Sequence, residues 1–167
     1  ATWKNTGTQT QTAWDQPTVF KFTVDPSQDS CLFEFNSCDS GTKGEEGVAG
    51  GWHDFDIWMC LFDVSGALID SNDDACDDSD NYGSIVTGQL STGDYYLTIV
   101  SYSELGGGAP PTYPNTYPAD YQVGFRACGA GTTTTTTVPP DCCTPSGEWQ
   151  SGQMWLGSEI VTYCDAA

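Results

Sequence analysis

Short stretches in which apolar and polar residues alternate recur along this chain, and they constrain its fold more than any other feature. In residues 18–24 the alternation places Phe20, Phe22 and Val24 on one side of an extended strand. The i, i+3, i+4 apolar stripe of an amphipathic helix is nearly absent. Turn-forming residues separate the strand candidates, which are residues 18–24, 31–36, 56–63, 67–71, 84–90, 93–102 and 121–127. This pattern predicts an all-β protein, specifically a jelly-roll-like β-sandwich.

Residues 56–63 (DIWMCLFD) differ from the other strand candidates because they are apolar almost throughout. A strand with one solvated face alternates, whereas a continuous apolar run is typical of a strand covered on both faces. We therefore expect both sides of this strand to be buried.

Eight cysteines are the second constraint on the fold. No C-x-x-C pair occurs and the chain has one histidine, so zinc is a poor explanation for them. Disulfides explain an even number of cysteines better, and they place the protein outside the cell or at its surface. The cysteines are Cys31, Cys38, Cys60, Cys76, Cys128, Cys142, Cys143 and Cys164.

The charge balance excludes one large class of partner. Asp and Glu number 23 against 4 Lys and Arg, which gives a formal net charge of -19. Such a surface repels nucleic acid and attracts divalent cations. Solubility in an extracellular medium explains the same charge and is compatible with cation binding. The sequence shows no segment long and apolar enough to span a membrane.

Changes in composition divide the chain into four parts. Residues 1–17 form an N-terminal arm, residues 18–128 the β-sandwich, residues 129–140 a Thr- and Pro-rich connector, and residues 141–167 a cysteine-containing tail. The tail is too small to hold a core of its own. We therefore expect it to be tethered by disulfides and to pack on its own sandwich or on that of a neighbouring molecule.

The connector has the composition of an O-glycosylated stalk, with a bare extended spacer as the alternative. Its candidate acceptors are Thr132, Thr133, Thr134, Thr135, Thr136 and Thr137.

Four motifs follow one another in the central part of the chain: DFDIWMCLFDVSG at 54–66, SNDD at 71–74, LSTGDYYLTI at 90–99 and YQVGF at 121–125. In this order they resemble the bacterial pre-peptidase C-terminal domain and its cysteine-containing secreted relatives, over about residues 18–127. The resemblance implies a secreted, jelly-roll-like accessory domain that binds matrix, glycan or protein. Some such relatives hold calcium.

The resemblance also implies a disulfide between Cys38 and Cys76, which occupy the positions of a paired cysteine in those relatives. Cys31 and Cys60 lie on neighbouring strand candidates and form a second candidate pair. The remaining cysteines would tie the tail back or cross to another subunit; these are Cys128, Cys142, Cys143 and Cys164.

Four aspartates form a candidate calcium site. Asp54 and Asp56 are two residues apart, so on a strand their side chains point the same way. Asp73 and Asp74 lie in a loop that could return beside them. Carboxylate oxygens in that number suit Ca²⁺. The alternative is that these aspartates cap turns through hydrogen bonds to backbone amides.

Signals for catalysis are weak. His53 is the chain's one histidine, and the G-x-S-x-G motif of a nucleophile elbow does not occur. We therefore predict that the protein is not an enzyme.

Two functions follow from these features. The first is a structural subunit of an extracellular filament or surface assembly, in which copies of the chain exchange strands or tails. The alternative is a monomeric accessory module that binds glycan or matrix, with calcium as a cofactor. Trp3, Trp14 and Trp52 are candidate platforms for that ligand.

Overall fold

The computed structural model of the protein describes residues 3–13, 17–24, 26–41, 45–76, 82–102, 117–130, 153–156 and 159–162. The named elements of these residues are antiparallel β-strands and one 3₁₀ turn at Pro26–Gln28, which confirms the all-β class. The described residues contain no helix with the length and apolarity of a membrane span.

The strands are numbered in chain order. They are β1 (Lys4–Asn5), β2 (Gln9–Gln11), β3 (Thr18–Val24), β4 (Cys31–Asn36), β5 (Trp52–His53), β6 (Ile57–Asp63), β7 (Leu68–Asn72), β8 (Ile85–Leu90), β9 (Gly93–Ser101), β10 (Ala119–Gln122), β11 (Gly124–Ala130), β12 (Gln153–Leu156) and β13 (Glu159–Thr162).

Two four-stranded sheets pack face to face, and each is named here after a central strand. The β4 sheet has the strand order β1-β11-β4-β8, and the β9 sheet has the order β3-β9-β6-β7. A three-stranded sheet, β2-β10-β5, and a two-stranded β12-β13 sheet accompany them. Side chains from both four-stranded sheets share one apolar core, which confirms the predicted β-sandwich.

The centre of this core is aromatic because the alternation in β3 and β4 directs phenylalanines toward each other. Phe22 on β3 and Phe35 on β4 are fully buried, with ring centroids 5.2 Å apart. Phe35 in turn lies 6.2 Å from Phe125 on β11. Burying each such side chain contributes about 1.5–3 kcal/mol. The period-two pattern in the sequence therefore supplies the contacts that hold the sheets together.

The β6 strand is covered on both faces, as its composition predicts. Ile57, Met59 and Leu61 point into the core. Cys60 points the other way and is 0% exposed. It belongs to a separate group on the outer face of the β9 sheet, the outer cluster, which consists of Trp58, Cys60, Phe62, Leu68 and Val100.

The N-terminal arm contributes strands to the sandwich of its own chain. Lys4 of β1 pairs with Phe125 of β11, and Thr10 of β2 pairs with Asp120 of β10. Both arm strands lie at sheet edges.

The strand expected at residues 121–127 is divided into β10 and β11. Val123 separates them, and its amide donates to the Thr6 hydroxyl at 3.1 Å. The chain changes sheets here, and glycine is required at position 124 because a β-carbon there would lie 1.9 Å from the Ala49 carbonyl oxygen. Alternation in the sequence does not reveal such a change of sheet.

The Cys38–Cys76 disulfide is present, with 5.6 Å between the Cα atoms, and confirms that prediction. The expected Cys31–Cys60 bridge is wrong. Cys31 is a free thiol that packs against the core, whereas Cys60 faces outward from the other sheet and has a disulfide partner of its own. The predictions for the remaining side chains concern Cys128, Cys142, Cys143, Cys164 and the threonines 132–137, and these side chains lie outside the described part of the structure.

Candidate cation site

Three aspartates meet where β6 begins and β7 ends. Asp56 immediately precedes β6, and Asp73 and Asp74 immediately follow β7. Because β6 and β7 are antiparallel neighbours, the start of one strand lies beside the end of the other. One carboxylate oxygen from each of the three residues lies within 4.8 Å of the other two. These three residues are called the aspartate cluster below.

Buried serines hold the two strand ends together. The Ser84 hydroxyl lies within hydrogen-bond distance of the Ile57 carbonyl, at 2.5 Å, and of the Asp73 carbonyl. The Ser84 amide donates to the Ser37 hydroxyl at 2.9 Å, and the Ser37 amide donates to the Ser84 carbonyl at 3.0 Å. Both serines are 0% exposed. Ser84 therefore connects the backbone beside Asp56 to that of Asp73.

The Cys38–Cys76 disulfide anchors the loop that follows β7. In that loop the Ala75 amide donates to the Gly83 carbonyl at 3.0 Å. A β-carbon on Gly83 would lie 2.5 Å from Cys76 Sγ and 3.0 Å from the His53 ring. Glycine is thus required where the chain passes the disulfide, and the segment carrying Asp73 and Asp74 is fixed at both ends.

The carboxyl groups of Asp56 and Asp73 are hard to ionise together. Burial, and then the charge of Asp74, raises the pKa of Asp56 to about 7. Burial, and then the charges of Asp56 and Asp74, raises the pKa of Asp73 to about 7 as well. Without a cation, the pair retains a proton near neutral pH.

Two carboxyl oxygens in the cluster have unmet hydrogen-bonding capacity. Oδ1 of Asp56 and Oδ1 of Asp73 are buried and have no hydrogen-bond partner among the described residues. Leaving such an acceptor unsatisfied costs about 1–3 kcal/mol. Two basic side chains in the described part of the chain are engaged elsewhere, Lys21 with Asp94 and Arg126 with Glu34.

The donor set fits a hard divalent cation. Ca²⁺ binds oxygen ligands at about 2.4 Å, so oxygens on one ion lie up to about 4.8 Å apart. The carboxylate oxygens of the aspartate cluster lie within this separation of one another. The cluster contains neither a thiolate nor an imidazole, which are the ligands that structural zinc prefers. Three carboxylates also leave positions for water or carbonyl oxygens, as Ca²⁺ coordination requires.

Asp54, the fourth predicted ligand, does not belong to the cluster. The chain bends at residues 54–55 and the strand begins at Ile57, so the two-residue alternation does not extend back to Asp54. Its amide instead donates to the Asp120 carbonyl at 2.9 Å.

His53 has a structural position. It is 2% exposed in β5, and its Nδ1 lies 2.9 Å from the Ser37 carbonyl oxygen. It therefore lies beside Ser37 of the serine pair.

An aromatic pair borders the cluster. The Tyr102 amide donates to the Asp56 carbonyl at 3.1 Å, which places Tyr102 next to the site. The Tyr102 ring stacks on Trp58, with centroids 5.8 Å apart and an interplanar angle of 12°. Tyr102 is 44% exposed. The sequence does not indicate this pair, because Trp58 belongs to one apolar strand candidate and Tyr102 is the last residue of another.

Comparison with known proteins gives no family assignment: neither the protein-family models nor the curated proteins contain a match to this chain.

Proposed function

We propose that this protein is a secreted β-sandwich binding module whose aspartate cluster holds Ca²⁺ and so fixes the surface beside Tyr102. The observation that carries the proposal is the presence of two buried, unpartnered carboxyl oxygens in a group of three aspartates. Such an arrangement is costly for the protein alone and favourable once a cation is bound.

The chemical class of the ligand follows from the neighbouring aromatic pair. An exposed tyrosine ring that is held flat against a tryptophan presents an apolar face with a polar tip, and this suits the face of a sugar ring. Ca²⁺ at Asp56 would fix the backbone that positions Tyr102. An extracellular glycan or a glycan-bearing matrix is therefore the ligand class that we propose.

Cation binding is tested by calorimetric titration with Ca²⁺ and by thermal unfolding with and without the ion. We expect saturable binding and a higher Tm in Ca²⁺. Asp73→Asn should weaken binding by about tenfold or more, which corresponds to about 1.4 kcal/mol. Asp54→Asn is the matched control, because Asp54 is nearby but outside the cluster. Equal losses in both variants, or no binding at millimolar Ca²⁺, would refute the site.

Ligand binding is tested on a polysaccharide panel with Ca²⁺ and with a chelator. We expect binding that chelation weakens and that Tyr102→Ala removes while Ca²⁺ affinity is retained. A panel without any hit in Ca²⁺ would leave the cation site standing and refute the glycan proposal.

A structural subunit is the second candidate, and the arm strands favour it. The β1–β11 and β2–β10 pairings are formed at sheet edges by strands of two and three residues. The arm of a neighbouring copy can make the same backbone hydrogen bonds, so exchange would cost little pairing energy. Electron microscopy of native material tests this: filaments with a repeat of one small domain support assembly, and dispersed monomers exclude it.

A further inference from the structure

β7 and β8 are edge strands of different sheets, and they run side by side. β8 is the last strand of the β4 sheet, and β7 is the last strand of the β9 sheet. Residues of the two strands lie close together, so both edges are on the same side of the sandwich. An edge strand presents a row of backbone amides and carbonyls with which a strand of another molecule can pair. The topology alone would therefore allow copies of the chain to join along this side.

Two side chains of β7 bind the amides along the edge of β8. The Thr87 amide donates to Asp70 Oδ2 at 2.8 Å, and the Ile85 amide donates to Asn72 Oδ1 at 3.2 Å. Alternate residues of a strand direct their amides to the same side, and here that side faces away from β4, with which β8 pairs along its other edge. These two amides are therefore ones that an added strand would use, and side chains of the same molecule already bind them.

Two further contacts continue this row beyond the end of β7. The Ser84 hydroxyl lies within hydrogen-bond distance of the Asp73 carbonyl, and the Ala75 amide donates to the Gly83 carbonyl at 3.0 Å. The four contacts are called the seam below. From the first contact to the last, residue numbers rise on the β7 side and fall on the β8 side, as they do between antiparallel neighbours. The seam thus joins the edges of the two sheets, and side-chain acceptors take the place of backbone carbonyls along β7.

Asp70 points toward the inside of the sandwich. It pairs with Leu61 across β6 and β7, and Leu61 is a core residue. Directly paired residues of antiparallel strands point to the same side of a sheet. An inward-pointing charged residue on an edge strand is one of the devices by which β-proteins prevent edge-to-edge pairing. A second such device is a bulge, and the register of β6 and β7 is irregular between Leu61 and Phe62.

We propose that Asp70 and Asn72 close the edge of β8 against strand pairing with a second copy of this chain. Pairing between copies is then directed away from the seam, to other sheet edges such as β1 and β3. This goes beyond the structural-subunit candidate, because it specifies a side at which copies do not join. It is also independent of the cation, since neither Asp70 nor Asn72 belongs to the aspartate cluster.

Hydrogen exchange of single amides, measured by NMR on the full chain, tests the seam. In Asn72→Ala we expect the Ile85 amide to exchange about tenfold faster than in the parent while the Thr87 amide keeps its rate. In Asp70→Ala we expect the reverse. Ser71→Ala is the matched control, because Ser71 lies between the two residues on β7 and faces the outer cluster. Unchanged rates at both amides, or an equal rise throughout the chain, would overturn the proposal.

Sedimentation velocity at increasing protein concentration tests whether the edge is closed to a second copy. The double variant Asp70→Ala/Asn72→Ala should form dimers at concentrations that leave the parent unchanged. Its Ile85 and Thr87 amides should regain protection from exchange as the dimers form. If the double variant does not fold, Asn72→Ala alone should give a weaker form of the same result, because it loses one uncharged acceptor.

Two further variants separate edge exposure from loss of stability. Asp63→Ala removes a turn-capping carboxylate without exposing an amide of β8, and it should associate no more than the parent. Asp70→Asn keeps an acceptor oxygen and should also behave as the parent. Equal dimer formation in Asp63→Ala would overturn the proposal. A double variant with rapidly exchanging β8 amides and the association state of the parent would overturn it as well.

Discussion

The two ends of β6 carry the same residue type in opposite environments. Asp63, at the end of the strand, accepts hydrogen bonds from the Ser65 amide, the Ser65 hydroxyl and the Ala67 amide at 2.6–2.9 Å. These donors lower the pKa of Asp63 below its ordinary value. Asp56, before the strand, has a buried oxygen without a partner, and burial raises its pKa to about 7.

This difference shows that the role of an aspartate at a strand end depends on the hydrogen-bond donors around its carboxylate. Asp63 caps a turn that reverses through Gly66 at a φ of 84°, and its charge is satisfied by the protein itself. Asp56 and Asp73 lie next to each other and to Asp74. Each of the two has a buried carboxyl oxygen that no hydrogen-bond donor among the described residues reaches, so the protein itself does not satisfy their charges. Turn capping therefore explains one end of β6, and the proposed cation would satisfy the charges at the other.

The largest effect is expected from removing the disulfide that anchors the loop of the aspartate cluster. Cys38 and Cys76 are 38 residues apart, and a bridge of this kind stabilises a protein by about 2–5 kcal/mol. The double variant Cys38→Ala/Cys76→Ala should lose about that much free energy of unfolding, measured by urea denaturation. It should also lose the stabilisation by Ca²⁺, because Asp73 and Asp74 are no longer held beside Asp56.

The matched control is Cys31→Ala, which removes a free thiol and leaves the bridge intact. It should keep the Ca²⁺ response. Retention of that response in the double variant would show that the serine contacts alone position the loop.

Removing the capping carboxylate should have a smaller effect. Asp63→Ala deletes the acceptor of the turn and should cost about 1 kcal/mol at neutral pH. The pKa of Asp63 is lowered in the folded state, so its contribution is present above its ordinary pKa and is lost as the pH falls through the lowered value. Urea denaturation at pH 7 and at pH 2 measures this. A variant as stable as the parent at pH 7 would contradict the capping role.

Asp56→Asn should raise the stability of the protein when Ca²⁺ is absent. The variant removes one of three like charges, so at pH 8 in chelator it should gain up to about 1 kcal/mol of stability. The raised pKa means that the parent protein loses stability as the pH rises from about 4 through about 7. Thermal unfolding across this range should show that loss in the parent and a weaker one in the variant. A destabilised variant in chelator would argue that Asp56 serves the fold rather than a cation.

Much of the fold was predictable because it depends on local alternation. β3, β4 and β6 follow from runs in which every second residue is apolar, or nearly all are. The aspartates of the cluster were identifiable for the same reason, since Asp56 and the Asp73–Asp74 pair stand at strand ends. Asp54 does not join the other three aspartates, because the bend before β6 interrupts the alternation.

Contacts between distant parts of the chain were not predictable. The serine pair that joins the strand ends connects residues 47 positions apart, and no motif marks either serine. The Cys31–Cys60 assignment failed for a related reason. Neighbouring strand candidates in the sequence belong to different sheets, and spacing does not say which face of a sheet a cysteine occupies.

The most subtle expected effect is proton release when Ca²⁺ binds. If Asp56 and Asp73 share a proton near neutral pH, the cation must displace it, so binding at pH 6.5 should release on the order of one proton. Calorimetric titration in two buffers with different ionisation enthalpies measures this number directly. At pH 9 both groups are ionised, and the observed enthalpy should not depend on the buffer. Apparent affinity should therefore rise with pH up to about 8 and then level off. Buffer-independent enthalpies at both pH values, together with clear binding, would mean that Ca²⁺ uses other carboxylates and that the two ends of β6 do not differ in the way described.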